Sequence, residues 1–165
     1  MEKTMTAAVL TISTRSSRGE RADRSGPRAC ELVRQAGGNV VYYAIVPDEQ
    51  GAIRAELLKA CDELKVDLVF TLGGTGLAPS DVTPEATAEV IERAVPGIAE
   101  VLRAKSLGKT ERAMLSRGIA GVRGRSLVIN MPGSEKGVEE SFDIVRPVLD
   151  HAVELIHGLV KDCGR

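Results

Sequence analysis

Val69-Phe70-Thr71-Leu72-Gly73-Gly74-Thr75-Gly76-Leu77-Ala78-Pro79-Ser80-Asp81-Val82-Thr83-Pro84-Glu85-Ala86 reads as a buried strand, a glycine turn, a carboxylate and the start of a helix. Three glycines in four positions expose main-chain N–H groups and let a bulky anion approach the backbone. Asp81 follows closely, where it would repel that anion; two unit charges 4 Å apart interact by about 4 kcal/mol at an effective dielectric near 20. An acid beside a phosphate cradle makes sense chiefly with a divalent cation between them, so phosphate plus Mg²⁺ is the first expectation for this segment. Taken alone, the turn reads equally well as plain strand-to-helix geometry. It is not a P-loop, because no Lys-Ser/Thr follows, and not G-x-G-x-x-G. Thr83-Pro84 reads as a helix start, Thr83 as N-cap and Pro84 at the first helical position. Asp81 lies ahead of that cap, so capping does not explain it.

Outward from this segment the chain alternates strand with helix. Residues 5–13 form an apolar run suited to a buried parallel strand. A polar Arg/Ser/Gly loop over 14–24 follows. A helix over 25–36 carries Ala29, Leu32, Val33 and Ala36 on one face and stops at Gly37-Gly38. Residues 40–46 are the second strand, and Pro47-Asp48-Glu49 opens a second helix. Residues 67–72 are the third strand. Helices are expected over 83–94 and 96–106, then a hairpin of 119–122 and 126–130 around Arg123-Gly124. Met131-Pro132-Gly133-Ser134 breaks it and a terminal helix follows. The expectation is one α/β domain over 1–165: a three-layer sandwich with a mostly parallel central sheet flanked by helices, plus a short hairpin.

Composition narrows the function. At 165 residues the chain can bury a core without staples. A net charge of -1 and the absence of Trp argue against nucleic-acid binding, which needs a basic face or stacking platforms. Cys30, Cys61 and Cys163 lack the spacing of a disulfide framework or zinc site, and Cys30 and Cys61 read as small buried hydrophobes. His151 and His157 fall on different faces of one helix, so they form no metal pair. No run has the length of a transmembrane span, and 5–13 reads as a strand, not a signal peptide. A soluble cytoplasmic protein without membrane contact is the expectation.

Ligands in parallel α/β sheets bind beyond the carboxyl ends of the strands, near a switch in strand order. Each unusual loop here directly follows a predicted strand: 13–24, 47–49, 73–81 and 130–134. Parallel strands would gather all four on one rim. Asp48 divides evenly between ligand contact and helix cap. Asn130 with Pro132-Gly133-Ser134 is either a helix-entry turn or a second backbone cradle. The charges Arg15, Arg18, Glu20, Asp23 and Arg24 are either a solvated loop or phosphate contacts.

Together these residues resemble the MogA/MoaB family of molybdenum-cofactor biosynthesis proteins, which includes the G domains of gephyrin and its plant relatives. The matches run in family order through Ser13-Thr14-Arg15, Gly19-Glu20, Asp23-Arg24-Ser25-Gly26-Pro27 and Val46-Pro47-Asp48-Glu49. They continue through Thr71-Leu72-Gly73-Gly74-Thr75-Gly76, Asp81-Val82-Thr83-Pro84-Glu85-Ala86-Thr87, Met114-Leu115-Ser116-Arg117 and Asn130-Met131-Pro132-Gly133-Ser134. The resemblance implies a molybdopterin-binding domain, trimeric or a dimer of trimers, that adenylylates molybdopterin with Mg-ATP and releases pyrophosphate. It implies Asp48 and Asp81 as the essential carboxylates. A downstream molybdenum-insertion protein is a further implied partner. The segment 114–134 is closer to the MoaB and gephyrin-type pattern than to MogA, and the chain ends without the extension that some MogA-branch members carry.

The residues support a mechanism of this kind. A phosphate monoester is mostly dianionic at pH 7, so its attack needs no general base, and no His lies in a candidate loop. The work is positioning and charge neutralisation. Asp48 and Asp81 would hold Mg²⁺ through hard oxygen ligands. The N–H groups of Gly73, Gly74, Thr75 and Gly76 would grip phosphate. Ser13, Arg15, Asn130, Pro132, Gly133 and Ser134 are further contacts, and Ser116 and Arg117 are expected at pterin or a neighbouring subunit. Two other readings use the same residues. A non-catalytic molybdopterin carrier or scaffold would bind pterin without adenylylation, and a structural α/β module would bind neither ligand.

Overall fold

The computed structural model describes residues 4–160. Among these residues six strands form one sheet: β1 (Thr6–Ile12), β2 (Asn39–Val46), β3 (Leu68–Leu72), β4 (Arg93–Ala94), β5 (Ala120–Arg123) and β6 (Ser126–Met131). Their order is β2-β1-β3-β6-β5-β4. The first four strands in that order run parallel, and β5 and β4 are antiparallel additions at one edge. The apolar runs of β1, β3 and β6 sit in the middle, as strands buried on both faces require.

Among the described residues six α-helices complete the layers: α1 (Thr14–Ser17), α2 (Ser25–Gln35), α3 (Gln50–Leu58), α4 (Thr83–Val90), α5 (Pro96–Leu107) and α6 (Glu135–Ile156). One core packs Val9, Phe70 and Ile129 of the sheet against α2, α6 and the partly buried side of α5. The opposite face packs Leu10, Val69 and Val128 against α3 and α4. The expected three-layer α/β arrangement is therefore present. Cys30 and Cys61 are buried thiols, as their positions on apolar faces imply, while Cys163 lies outside the described residues. Among the described residues no helix is long and apolar enough to cross a membrane.

Three local expectations are corrected. The helix over 83–94 ends at Val90, because Ile91 turns extended with ψ 142° and the chain runs to the sheet edge. There the Glu92 and Val95 amides donate to Val122 and Ala120 carbonyls, and Arg93–Ala94 becomes β4. Pro96 supports the break, since a proline pushes its predecessor out of helical geometry. Thr83 is the first helical residue and not the N-cap, which is Val82. The loop over 14–24 also contains a one-turn helix, capped by Ser13 Oγ accepting from the Ser16 amide at 3.2 Å.

At the end of the sheet away from the glycine turn, Asp67 is 2% exposed. It accepts from the Thr6 amide at 2.8 Å, the Thr6 hydroxyl at 2.9 Å and Arg125 Nη2 at 3.1 Å, with His157 alongside. Burial pushes its pKa up, but the Thr6 and Arg125 donors outweigh it and hold the carboxyl below its usual 3.8. A depressed carboxyl stabilises above its ordinary pKa and loses that contribution as pH falls through the folded value. Asp67→Asn is accordingly expected to cost about 2 kcal/mol at pH 7, with the difference from wild type shrinking at acid pH below that of the ordinary carboxyl. Urea unfolding at a series of pH values measures it.

Candidate functional site

The strand order reverses direction at β1, where β2 lies on one side and β3 on the other, and the crevice between the ends of β1 and β3 is the switch point. The turns after β1, β2, β3 and β6 all open there. A cavity of about 870 Å³ is lined by Ser13, Asp48, Gly74, Asp81, Gly133 and Ser134, among others. Residues from all four predicted loops thus meet in one space, and both carboxylates face it.

Gly73 sets the geometry of the glycine turn without offering its own amide. Its φ is 103°, and a Cβ there would lie 2.7 Å from the Ile12 carbonyl oxygen. Its N–H donates to Met131 O at 3.0 Å, and its carbonyl accepts from Thr83 Oγ1 at 2.9 Å. The expectation that Gly73 grips phosphate through its amide is therefore corrected: that donor closes the turn against β6. The amides of Gly74, Thr75 and Gly76 have no acceptor among the described residues, and they are the free donors of the cradle. The Pro132–Ser134 turn abuts them, since a Cβ on Gly133 would stand 3.2 Å from Gly73 Cα. Ser25 Oγ fixes this second turn by donating to Gly133 O at 2.5 Å. Ser134 caps α6, its Oγ accepting from the Gly137 amide.

Each acid is oriented by one bond to a turn. Asp48 Oδ2 accepts from the Thr14 amide at 2.8 Å, and Thr14 Oγ1 accepts in return from the Asp48 amide at 2.9 Å. It does not cap the helix that follows, whose N-cap is Glu49. Asp81 Oδ2 accepts from the Ala78 amide at 2.9 Å. The second oxygen of each carboxylate has no donor among the described residues. Two half-buried carboxylates with a free oxygen apiece fit a hard divalent cation whose remaining ligands are phosphate and water.

The structure separates the remaining candidates. Arg15 is exposed on α1, away from the lining of this cavity. Asn130 is 3% exposed and borders a second cavity, with its amide bonded inward. Its Nδ2 donates to Thr71 Oγ1 at 2.8 Å and Thr87 Oγ1 at 3.0 Å, and its Oδ1 accepts from the Ile119 amide at 3.1 Å. Arg117 binds the carbonyls of Gly76 and Asp81 and the carboxylate of Glu85, which it holds below the usual carboxyl range. Ser116 lies on a second cavity.

That second cavity, about 600 Å³, lies between α5, the 3-10 turn Glu111–Leu115 and the start of α6. Leu77, Leu102 and Leu115 give it apolar walls, and Lys109 and Arg112 stand at its rim. It shares Thr75, Gly76, Pro132 and Ser134 with the first cavity, so the two are compartments divided by the glycine turns. Sequence reasoning left residues 107–113 without a role. It also left Asp23 among loop charges, although Asp23 lines the first cavity. Asp23 accepts from Thr11 Oγ1 at 2.7 Å and the Gly26 amide at 3.1 Å, and also from the Tyr43 hydroxyl. Burial, then Asp23, raises the Tyr43 pKa, so the phenol remains a donor. The signal was the spacing of Asp23 to Gly26, where a glycine leaves room for the carboxylate to bond backward.

The molybdopterin adenylyltransferase of Helicobacter pylori (strain ATCC 700392 / 26695) is 42% identical over 158 residues, covering 94% of this chain and 90% of the relative. The molybdenum cofactor synthesis protein cinnamon of Drosophila melanogaster is 41% identical over 93% of this chain, which spans 26% of that longer protein. The crystal structure of the molybdopterin biosynthesis enzyme MoaB from Thermus thermophilus superposes with a TM-score of 0.88 at 47% identity, covering 93% of this chain and 97% of the other. The family described as "Probable molybdopterin binding domain" matches residues 8–151. Matched over residues 8–151 and 42% identical to a relative across most of both lengths, the chain belongs to that molybdopterin-binding-domain family of molybdenum-cofactor biosynthesis proteins.

Proposed function

We propose that this chain adenylylates molybdopterin: the terminal phosphate of molybdopterin attacks the α-phosphorus of ATP, a new P–O bond forms, and pyrophosphate leaves with the electrons of the broken α–β bond. The observation that carries this reading is the pair of cavities meeting at Thr75-Gly76 and Pro132–Ser134, one polar with Asp48 and Asp81, the other largely apolar. Two substrates entering from opposite sides would bring their phosphates together at the shared wall. The pterin takes the apolar compartment beside Ser116, and the triphosphate takes the polar one.

The protein's part is charge management and alignment. The free amides of Gly74, Thr75 and Gly76 donate to phosphate oxygens, and Ser13 and Ser134 flank them. Asp48 and Asp81 would hold Mg²⁺, which when bound neutralises phosphate charge beside the two carboxylates. The attacking phosphate is already ionised at neutral pH, so no side chain needs to take a proton.

Purified protein given ATP, Mg²⁺ and molybdopterin is expected to release pyrophosphate and form adenylyl-molybdopterin, with ATP and pterin each binding alone. Pterin binding without pyrophosphate release would make the chain a carrier and end the enzymatic reading. The same reading carries a homotrimer, or a hexamer of two trimers, for which exposed Val101 and Leu107 of α5 and Met114 offer an apolar surface. Sedimentation gives the assembly mass. Hand-over of the adenylylated product to a molybdenum-insertion protein, and a cytoplasmic setting, complete the proposal.

A further inference from the structure

Arg117 lies behind the wall of the site and not in it. Its backbone amide donates to Thr75 O at 2.8 Å. Its Nε donates to Gly76 O at 2.8 Å and its Nη2 to Asp81 O at 2.7 Å. Both terminal nitrogens also reach the Glu85 carboxylate in the first turn of α4. Gly76 and Asp81 are the two ends of the loop that presents the second carboxylate. One planar fork therefore staples both ends of that loop and ties it to the helix behind it. Inside the staple, Asp81 and Ala78 bond reciprocally, the Asp81 amide to Ala78 O at 2.9 Å and the Ala78 amide to Asp81 Oδ2 at 2.9 Å. Arg117 is itself anchored, because Arg103 Nη1 of α5 donates to the flanking carbonyls of Ser116 at 3.4 Å and Gly118 at 2.8 Å.

We propose that Arg117 is a positioning residue that fixes the Asp81 carboxylate for the metal, and that it contacts neither phosphate nor pterin. The proposal rests on the adenylylation reading for what Asp81 does, and on the loop geometry alone for what Arg117 does. A lysine cannot replace it: a point-like ammonium lacks the fork that spans two carbonyls and a carboxylate. Charge and clamp are thereby separable.

Hydrogen exchange and kinetics on the full chain test this with Arg117→Lys and Arg117→Met. Both variants are expected to exchange the Ala78 and Asp81 amides at least about tenfold faster than wild type, with the protection of β6 unchanged. Both should need about tenfold more Mg²⁺ for half-maximal pyrophosphate release, while the dissociation constant for pterin stays within about twofold. Glu85→Gln, which keeps the guanidinium and weakens one end of the staple, should shift the same amides by a smaller factor and covers the case in which an Arg117 variant fails to fold. Unchanged exchange, an Arg117→Lys protein with wild-type kinetics, or a tenfold loss of pterin affinity would each overturn the clamp. A wild-type chain that releases no pyrophosphate overturns the adenylylation reading instead, and the exchange arm still decides the clamp.

Discussion

Asp81→Asn and Asp48→Asn are each expected to slow pyrophosphate release by about 10²–10³-fold, the scale seen when one preorganised electrostatic group is removed from an active site. Asparagine keeps the size of the side chain and an oxygen able to accept from the Ala78 or Thr14 amide, so both loops should hold their shape. What disappears is the negative charge opposite the cradle of Gly74–Gly76 amides. Pterin affinity should stay within about threefold, because the second cavity takes no wall from either acid. Steady-state kinetics across a Mg²⁺ series, with pterin binding measured separately, resolves the two effects. Normal turnover in both variants would remove the carboxylates from the mechanism. Loss of pterin binding would mean that the acids shape the wrong compartment.

That Asp48 and Asp81 line one cavity is legible in the sequence, and the reason is topological. Four polar loops each follow an apolar run, and parallel pairing of β1, β2, β3 and β6 sends all their carboxyl ends to one edge. Glycine identity is legible too, but its cause only half so. Gly73 is required by a φ of 103° and the closeness of Ile12 O, whereas the anion cradle belongs to the three residues after it. Local sequence could not tell these apart, since the partner of the Gly73 amide is Met131, far along the chain. The same limit hid the work of Arg117, whose acceptor Gly76 lies 41 positions earlier. Residues 91–94 misled for a different reason: edge hydrogen bonds to β5 outweighed a weak local preference.

Asn130→Leu brings out the difference between a residue that binds and one that holds a binding site together. The side chain bonds to β3 through Thr71, to α4 through Thr87 and to the approach of β5 through the Ile119 amide. Leucine fills similar space and satisfies none of them. Thr87 Oγ1 keeps its bond to Thr83 O, but the Ile119 amide and Thr71 hydroxyl lose their Asn130 partners in a buried setting. Leaving such groups unmet costs about 1–3 kcal/mol each, so a total near 3 kcal/mol is expected. For a domain of this size that lowers Tm by roughly 6–12 °C. At 25 °C the folded protein should still bind pterin within about threefold of wild type, because the amide, although its residue borders the second cavity, is engaged by Thr71, Thr87 and Ile119. Thermal unfolding followed by pterin titration separates the cases. A Tm within about 2 °C of wild type together with lost pterin affinity would show that Asn130 turns outward to the substrate, and the internal network would then be incidental.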